Sequence, residues 1–124
     1  MNTILPVDAQ MAGLDDQRLV SFLAHASGPI RARALPTIGA RIASVPLLKE
    51  ELFAAAADPA NLALTLYAFV KVAWIAGMTV LDYGTAEDIA RLKQVVGAWP
   101  ESEREGFLAY VKDYRGFDKV MQHV

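Results

Sequence analysis

Apolar residues recur at helical spacing along most of the chain, and the breaks between periodic stretches fall at proline, glycine or a potential capping acid. Leu19, Phe22, Leu23 and Ala26 share one face. They predict a helix opening at Asp15 or Asp16, where a carboxylate can accept free N–H groups of the first turn. Ser27-Gly28-Pro29 reads as its stop, because glycine tolerates the left-handed position after a helix and proline cannot continue one. Leu35, Ile38, Ile42 and Val45 follow at spacings of three, four and three. Residues 30–45 are therefore expected to be helical, as one helix or, with Pro36 and Gly39 inside, as two short pieces. Ser44-Val45-Pro46 signals the next start, with Leu48, Leu52 and Ala55 or Ala56 as the apolar stripe and Asp58 as the close. Asp58-Pro59 then restarts the chain, the acid as cap and the proline where a missing N–H costs nothing.

From Leu62 to Leu81 the periodicity disappears, because the run LALTLYAFVKVAWIAGMTVL has a single charge, Lys71, and no polar face. The expectation is one continuous helix over about 59–83 that must be covered on every side. Three surroundings satisfy that requirement. Neighbouring amphipathic helices could wrap it, a second copy could pack on Tyr67, Phe69 and Trp74, or a bilayer could enclose it. Twenty residues at 1.5 Å each would reach across about 30 Å of hydrocarbon. Lys71 near the midpoint costs roughly 2.5–3.5 kcal/mol on insertion, and the flanking stretches are amphipathic, so the reading without a membrane is preferred. The inference fails if the segment forms strands.

Gly84 is the expected stop, with Thr85 and Asp88 forming a variant capping box for a helix over about 86–98. Its stripe is Ile89, Leu92, Val96 and Trp99, and Pro100 ends it. Ser102 and Glu105 match a second capping box. Apolar positions 107, 110, 114, 117, 121 and 124 then run through Gly116 as one last helix. The fold class is thus all-α, an irregular or orthogonal bundle of five to six helices around a hydrophobic central helix. Residues 1–124 read as a single helical domain, 1–13 being a mostly irregular lead-in, and the last two helices as an αα-hairpin.

Composition narrows the chemistry. A chain of 124 residues with 54% apolar residues can bury a core without staples, and it has no cysteine. A formal net charge of -2 gives no long-range attraction for a polyanion, so nucleic acid is not an expected partner. The first residues lack a basic segment ahead of an apolar run, and cytoplasm is the expected location.

The candidate residues each have a plain alternative. Lys71 needs a carboxylate or a route to water, and its stem is expected to lie along apolar surface with the ammonium reaching a groove. Arg31, Arg33, Arg41 and Lys49 form the only purely basic interval, suited to an anionic ligand but also to pairing with Asp15, Asp16, Glu50 or Glu51. His25 and His123 stand far apart in no metal-ligand spacing, and no metal or cofactor is expected. Glu101, Glu103 and Glu105 crowd a helix start, where negative charge complements the dipole without implying catalysis. The same acids argue against a helix-turn-helix reader over 86–115, whose second helix would meet phosphates with carboxylates. No nucleophile elbow, GxGxxG or Walker pattern occurs.

Two function classes follow, with an unrecognised enzyme as a third. The first is a non-enzymatic interaction or regulatory protein, self-associating and binding a protein partner through Tyr110, Tyr114, Phe117 and Arg115, an aromatic face with a charged rim. The second binds a small anionic or amphipathic ligand between helices, using Arg33, Arg41, Tyr67, Trp74 and Lys71, with Phe69 and Tyr110 completing the pocket.

Overall fold

In the computed structural model, which describes residues 11–67 and 70–115 and only the backbone of Leu66, Tyr67, Tyr114 and Arg115, several helices, though not all, open at a side-chain cap. Asp15 Oδ1 accepts the Arg18 N–H at 2.8 Å and opens α1, Asp16–Phe22. Ser27 Oγ accepts the Ile30 N–H and opens α2, Gly28–Gly39. The Ser27-Gly28-Pro29 triplet is therefore a helix start and not the expected stop. Proline suits a first turn, whose N–H groups have no helical partner, as well as it suits a terminator. Helix α2 continues through Pro36 as one piece and ends at Gly39, leaving 40–44 as turns. Helix α3, Pro46–Ala57, places proline in its first turn and buries Leu48, Leu52, Phe53, Ala55 and Ala56. Asp58 accepts the Ala60 N–H at 2.9 Å and opens α4, Pro59–Ala63.

The long apolar run is not one helix. After α4 the chain forms a short antiparallel hairpin, β1 (Thr65–Tyr67) with β2 (Val70–Lys71), pairing Thr65 with Lys71 and Tyr67 with Val70 across a register irregularity. The Val72 N–H donates to the Leu64 carbonyl at 3.0 Å and closes the ladder. Helix α5 then spans Val72–Tyr83. The central helix is thus Val72–Tyr83 and not about 59–83, and the bundle has seven helices among the described residues where five to six were expected. The cause lies in TLYAFVKV, where β-branched and aromatic residues supply strand preference that hydrophobicity alone does not reveal. Twelve residues reach about 18 Å. Among the described residues no helix is long and apolar enough to cross a membrane.

Most of the apolar surface of α5 is hidden by its own chain, with Tyr83 at its end 47% exposed. Val72, Ala73, Trp74, Ala76, Gly77, Thr79 and Val80 of α5 are buried, and Ile75, Met78 and Leu81 pack partly buried against the same core. Helices α2, α3 and α4 contact α5. So do α6, Ala86–Gly97, and the face of α7, Glu101–Arg115, that carries Gly106 and Phe107. Small residues set the approach. A Cβ on Gly77 would stand 2.7 Å from the Phe107 ring, and one on Gly106 would stand 2.6 Å from the Trp74 indole. Buried Thr79 returns its hydroxyl to the Ile75 carbonyl at 2.8 Å, which removes the polar cost of its position.

Helix α6 carries the expected capping box. Thr85 Oγ1 accepts the Asp88 N–H at 3.1 Å, and Asp88 Oδ2 accepts the Thr85 N–H at 3.0 Å. Helix α7 starts at Glu101, with the Pro100 carbonyl accepting the Arg104 N–H at 3.0 Å, so Ser102 sits inside the first turn and is not the cap. Arg104 reaches back to the Gly97 and Trp99 carbonyls and satisfies the end of α6. Of the lead-in, residues 1–10 lie outside the described residues. Met11 is helical and buried, and Leu14 packs against the core.

Candidate functional site

Lys71 stands between β2 and α5, where its side chain can reach neither bulk water freely nor an apolar pocket without cost. It donates to Glu103 Oε2 at 2.9 Å and to the Leu62 carbonyl at 3.3 Å. The other carboxylate oxygen of Glu103 accepts the Trp74 indole N–H at 3.1 Å. Side-chain exposures of 22% for Lys71 and 18% for Glu103 place the pair between surface and core, where each charge needs the other. This cluster ties α7 to the hairpin and to the start of α5. Trp74 itself lies against Tyr110, with ring centroids 5.9 Å apart.

A second charged cluster joins α3 to α6. Arg91 forks onto Glu50 with two contacts of 2.8 Å, while its guanidinium lies 4.1 Å from the Phe53 ring centroid. Its hydrogen bond to Glu50 raises the Arg91 pKa, and the same bond lowers that of Glu50. Beside it, Lys49 Nζ meets Asp88 Oδ1 at 3.2 Å. Burial pushes the Asp88 carboxyl up, but hydrogen bonds from the Thr85 backbone, Lys49 and the Thr85 hydroxyl outweigh it and hold the group below its ordinary value of 3.8. A depressed carboxylate contributes stability above its unfolded pKa and loses it as pH falls through the folded one. Denaturation of wild type is therefore expected to show a stability loss on acidification below about pH 4 that is smaller in Asp88→Asn. An identical acid profile in the variant would remove Asp88 from the account.

Between α4, α6 and the turn 98–100 runs an open groove of about 860 Å³. Its lining is mainly apolar, with Leu62 and Ala63 on one wall, Val95 and Ala98 on the other, and Trp99 at the base. Trp99 is only 4% exposed and fixed in place, its indole N–H donating to the Ala56 carbonyl at 3.0 Å and its ring meeting Phe107 edge-on at 5.4 Å. Gln94 and Ser102 add polar atoms at the groove. Its two charged residues are Arg91 and Glu103, each matched by a partner charge, Glu50 and Lys71. The groove is accordingly apolar, preformed and electrically balanced. A smaller groove of about 340 Å³ lies between α6 and α7, over Leu92, Phe107 and Leu108, with Lys93, Arg104, Glu101 and Glu105 among its lining.

The residues expected to form a site fall into separate places. Trp74 and Lys71 meet, through Glu103. Trp74 and Tyr110 also meet, but as buried core, 4% and 9% exposed, and neither lines the large groove. Arg41 is engaged elsewhere, donating to Asp16 at 2.8 Å and to the Ala12 carbonyl at 2.9 Å. Arg33 is exposed on α2. The side chains of Tyr67, Tyr114 and Arg115, and all of Phe69 and Phe117, lie outside the described residues. The sequence reading places Trp99 only in a helix stripe and Glu103 only in dipole compensation, and it does not single out Val95. The available signal was a tryptophan directly before the helix-ending Pro100, which places a large ring at the edge of the bundle. Among the described residues no group of three or more His, Cys, Asp or Glu is placed to hold a metal ion. No protein-family model matches the chain, and neither a curated protein nor a solved structure is significantly similar to it.

Proposed function

We propose that this chain is a non-enzymatic helical interaction protein and that the groove beside Trp99 receives the apolar face of an amphipathic helix from a protein partner. The observation that carries the reading is a preformed groove of about 860 Å³, lined mainly by apolar side chains, whose two charges are already neutralised. Charge complementarity then asks for an uncharged occupant, which disfavours an anionic head at this place. An open trough between helices suits a helix laying down side chains at i, i+3, i+4 and i+7. A second copy of the chain is one form such a partner can take.

The test is a titration with a synthetic amphipathic helical peptide bearing leucines at those spacings, followed by methyl and indole NMR shifts. Saturable shifts are expected at Leu62, Val95 and Trp99. They should vanish in Ala98→Glu, which places a charge in the groove at an exposed position and leaves the fold intact. Shifts of equal size in the variant, or none in wild type, would contradict the reading, and a mass increase without peptide would identify self-association. The alternative of a small amphipathic ligand falls to the smaller groove, whose apolar floor is bordered by Lys93 and Arg104 and equally by Glu101 and Glu105. Decanoate is the probe for it, and shifts at Leu92, Phe107 and Leu108 alone would favour that alternative.

A further inference from the structure

The basic interval of the sequence leaves one residue unaccounted for by the interaction reading. Arg31, half-buried on α2, donates through Nε to the His25 carbonyl and through Nη1 to Asn61 Oδ1 at 2.9 Å. Asn61 is 2% exposed and gives its amide N–H to the Ala55 carbonyl at 2.8 Å, so the guanidinium is held by a buried, fixed side chain. The Nη2 group has no partner among the described residues. Arg31 lines a cavity of about 350 Å³ formed with residues of α1, α3 and the start of α4. The same cavity is lined by two acidic residues, Glu51 and Asp58, the second of which also accepts the Ala60 N–H. Glu51 has no ion-pair or hydrogen-bond partner among the described residues, and neither acid approaches Arg31 within 4.0 Å. Val20 and Leu23 supply an apolar wall.

A positive fork and two negative groups that line one small cavity without pairing form a split charge pattern. A ligand that completes the pattern carries a carboxylate for the arginine, an ammonium for the acids and a short apolar body for Val20 and Leu23. We infer that this cavity is a binding site for a small zwitterion of the α-amino-acid class. The inference is independent of the groove beside Trp99, which shares no lining residue with it.

The test uses the full chain with three probes of one carbon skeleton: L-leucine, 3-methylbutylamine, which lacks the carboxylate, and 4-methylpentanoate, which lacks the ammonium. Calorimetric titration should show saturable leucine binding, with each single-headed analogue at least about tenfold weaker, a tenfold change being 1.4 kcal/mol. Arg31→Lys is expected to weaken leucine, but Arg31 also fastens Asn61, so the deciding variant is Glu51→Gln. That change removes an acid without a described partner. It should weaken leucine about tenfold while leaving the thermal midpoint of the free protein unchanged. Absence of leucine binding, equal binding of the amine, or an unaltered affinity in Glu51→Gln would each overturn the inference.

Discussion

Trp74→Ala is expected to lower the folding free energy by ~3–5 kcal/mol, the usual range for emptying a buried aromatic site. The residue is 4% exposed, packs on Tyr110, fills the space over Gly106 and donates to Glu103. Its removal therefore opens a cavity at the crossing of α5 and α7 and leaves one oxygen of a part-buried carboxylate unpaired. Equilibrium urea unfolding measures the loss as a fall in midpoint at unchanged slope. Trp74→Phe separates the contributions, since it keeps most of the ring and removes only the N–H. A loss below about 1 kcal/mol in the alanine variant would mean that the indole does not seal the core.

Gly106→Ala is expected to destabilise by ~1–3 kcal/mol, although the same exchange within a helix ordinarily stabilises by up to about 1 kcal/mol. The reversal comes from the neighbour. An added Cβ would lie 2.6 Å from two atoms of the Trp74 ring, which is rigid and enclosed and cannot swing aside. Gly97 provides the internal control, because a Cβ there meets nothing within 4 Å, and Gly97→Ala should be neutral or stabilising. Thermal or denaturant unfolding of the two variants side by side decides the matter. Equal effects at both positions would show that α7 does not rest against α5 as closely as described.

These two expectations rest on features that the sequence displays unevenly. Helix starts were legible because capping is local. Asp58, the Thr85 and Asp88 pair, and Asp15, which the sequence leaves open against Asp16, each act within three residues of themselves. Ser27 was misread because glycine and proline beside it fit a start and a stop equally well. The apolar run from Leu62 to Leu81 reads as one segment to be hidden, and its residues in α5, Val72 to Leu81, are buried or partly buried, while the part before them forms strands where one helix is expected. Hydrophobicity does not show the division of the run, because it cannot separate helix from strand, and the strand preference lies in the β-branched and aromatic residues of TLYAFVKV.

The charged contacts were the least legible part of the site. Lys71 and Glu103 are 32 positions apart, and Arg31 and Asn61 are 30 apart. Such partners depend on how helices cross, which spacing along one helix does not encode. Arg41 paired with Asp16, one of four acids named for the basic interval, because α1 and α2 are consecutive and adjacent. Apart from Trp99 directly before Pro100, the large groove has no sequence signature. It arises where the short α4 diverges from α6, and its apolar lining is indistinguishable in sequence from core.

The most direct measurement is amide hydrogen exchange along Ala73 to Val80 across a wide range of protein concentration. If one chain's own helices enclose this segment, its amides exchange slowest of all and at rates independent of concentration. Protection that appears only as concentration rises would mean that another molecule supplies the cover, and rapid exchange throughout would mean that nothing does.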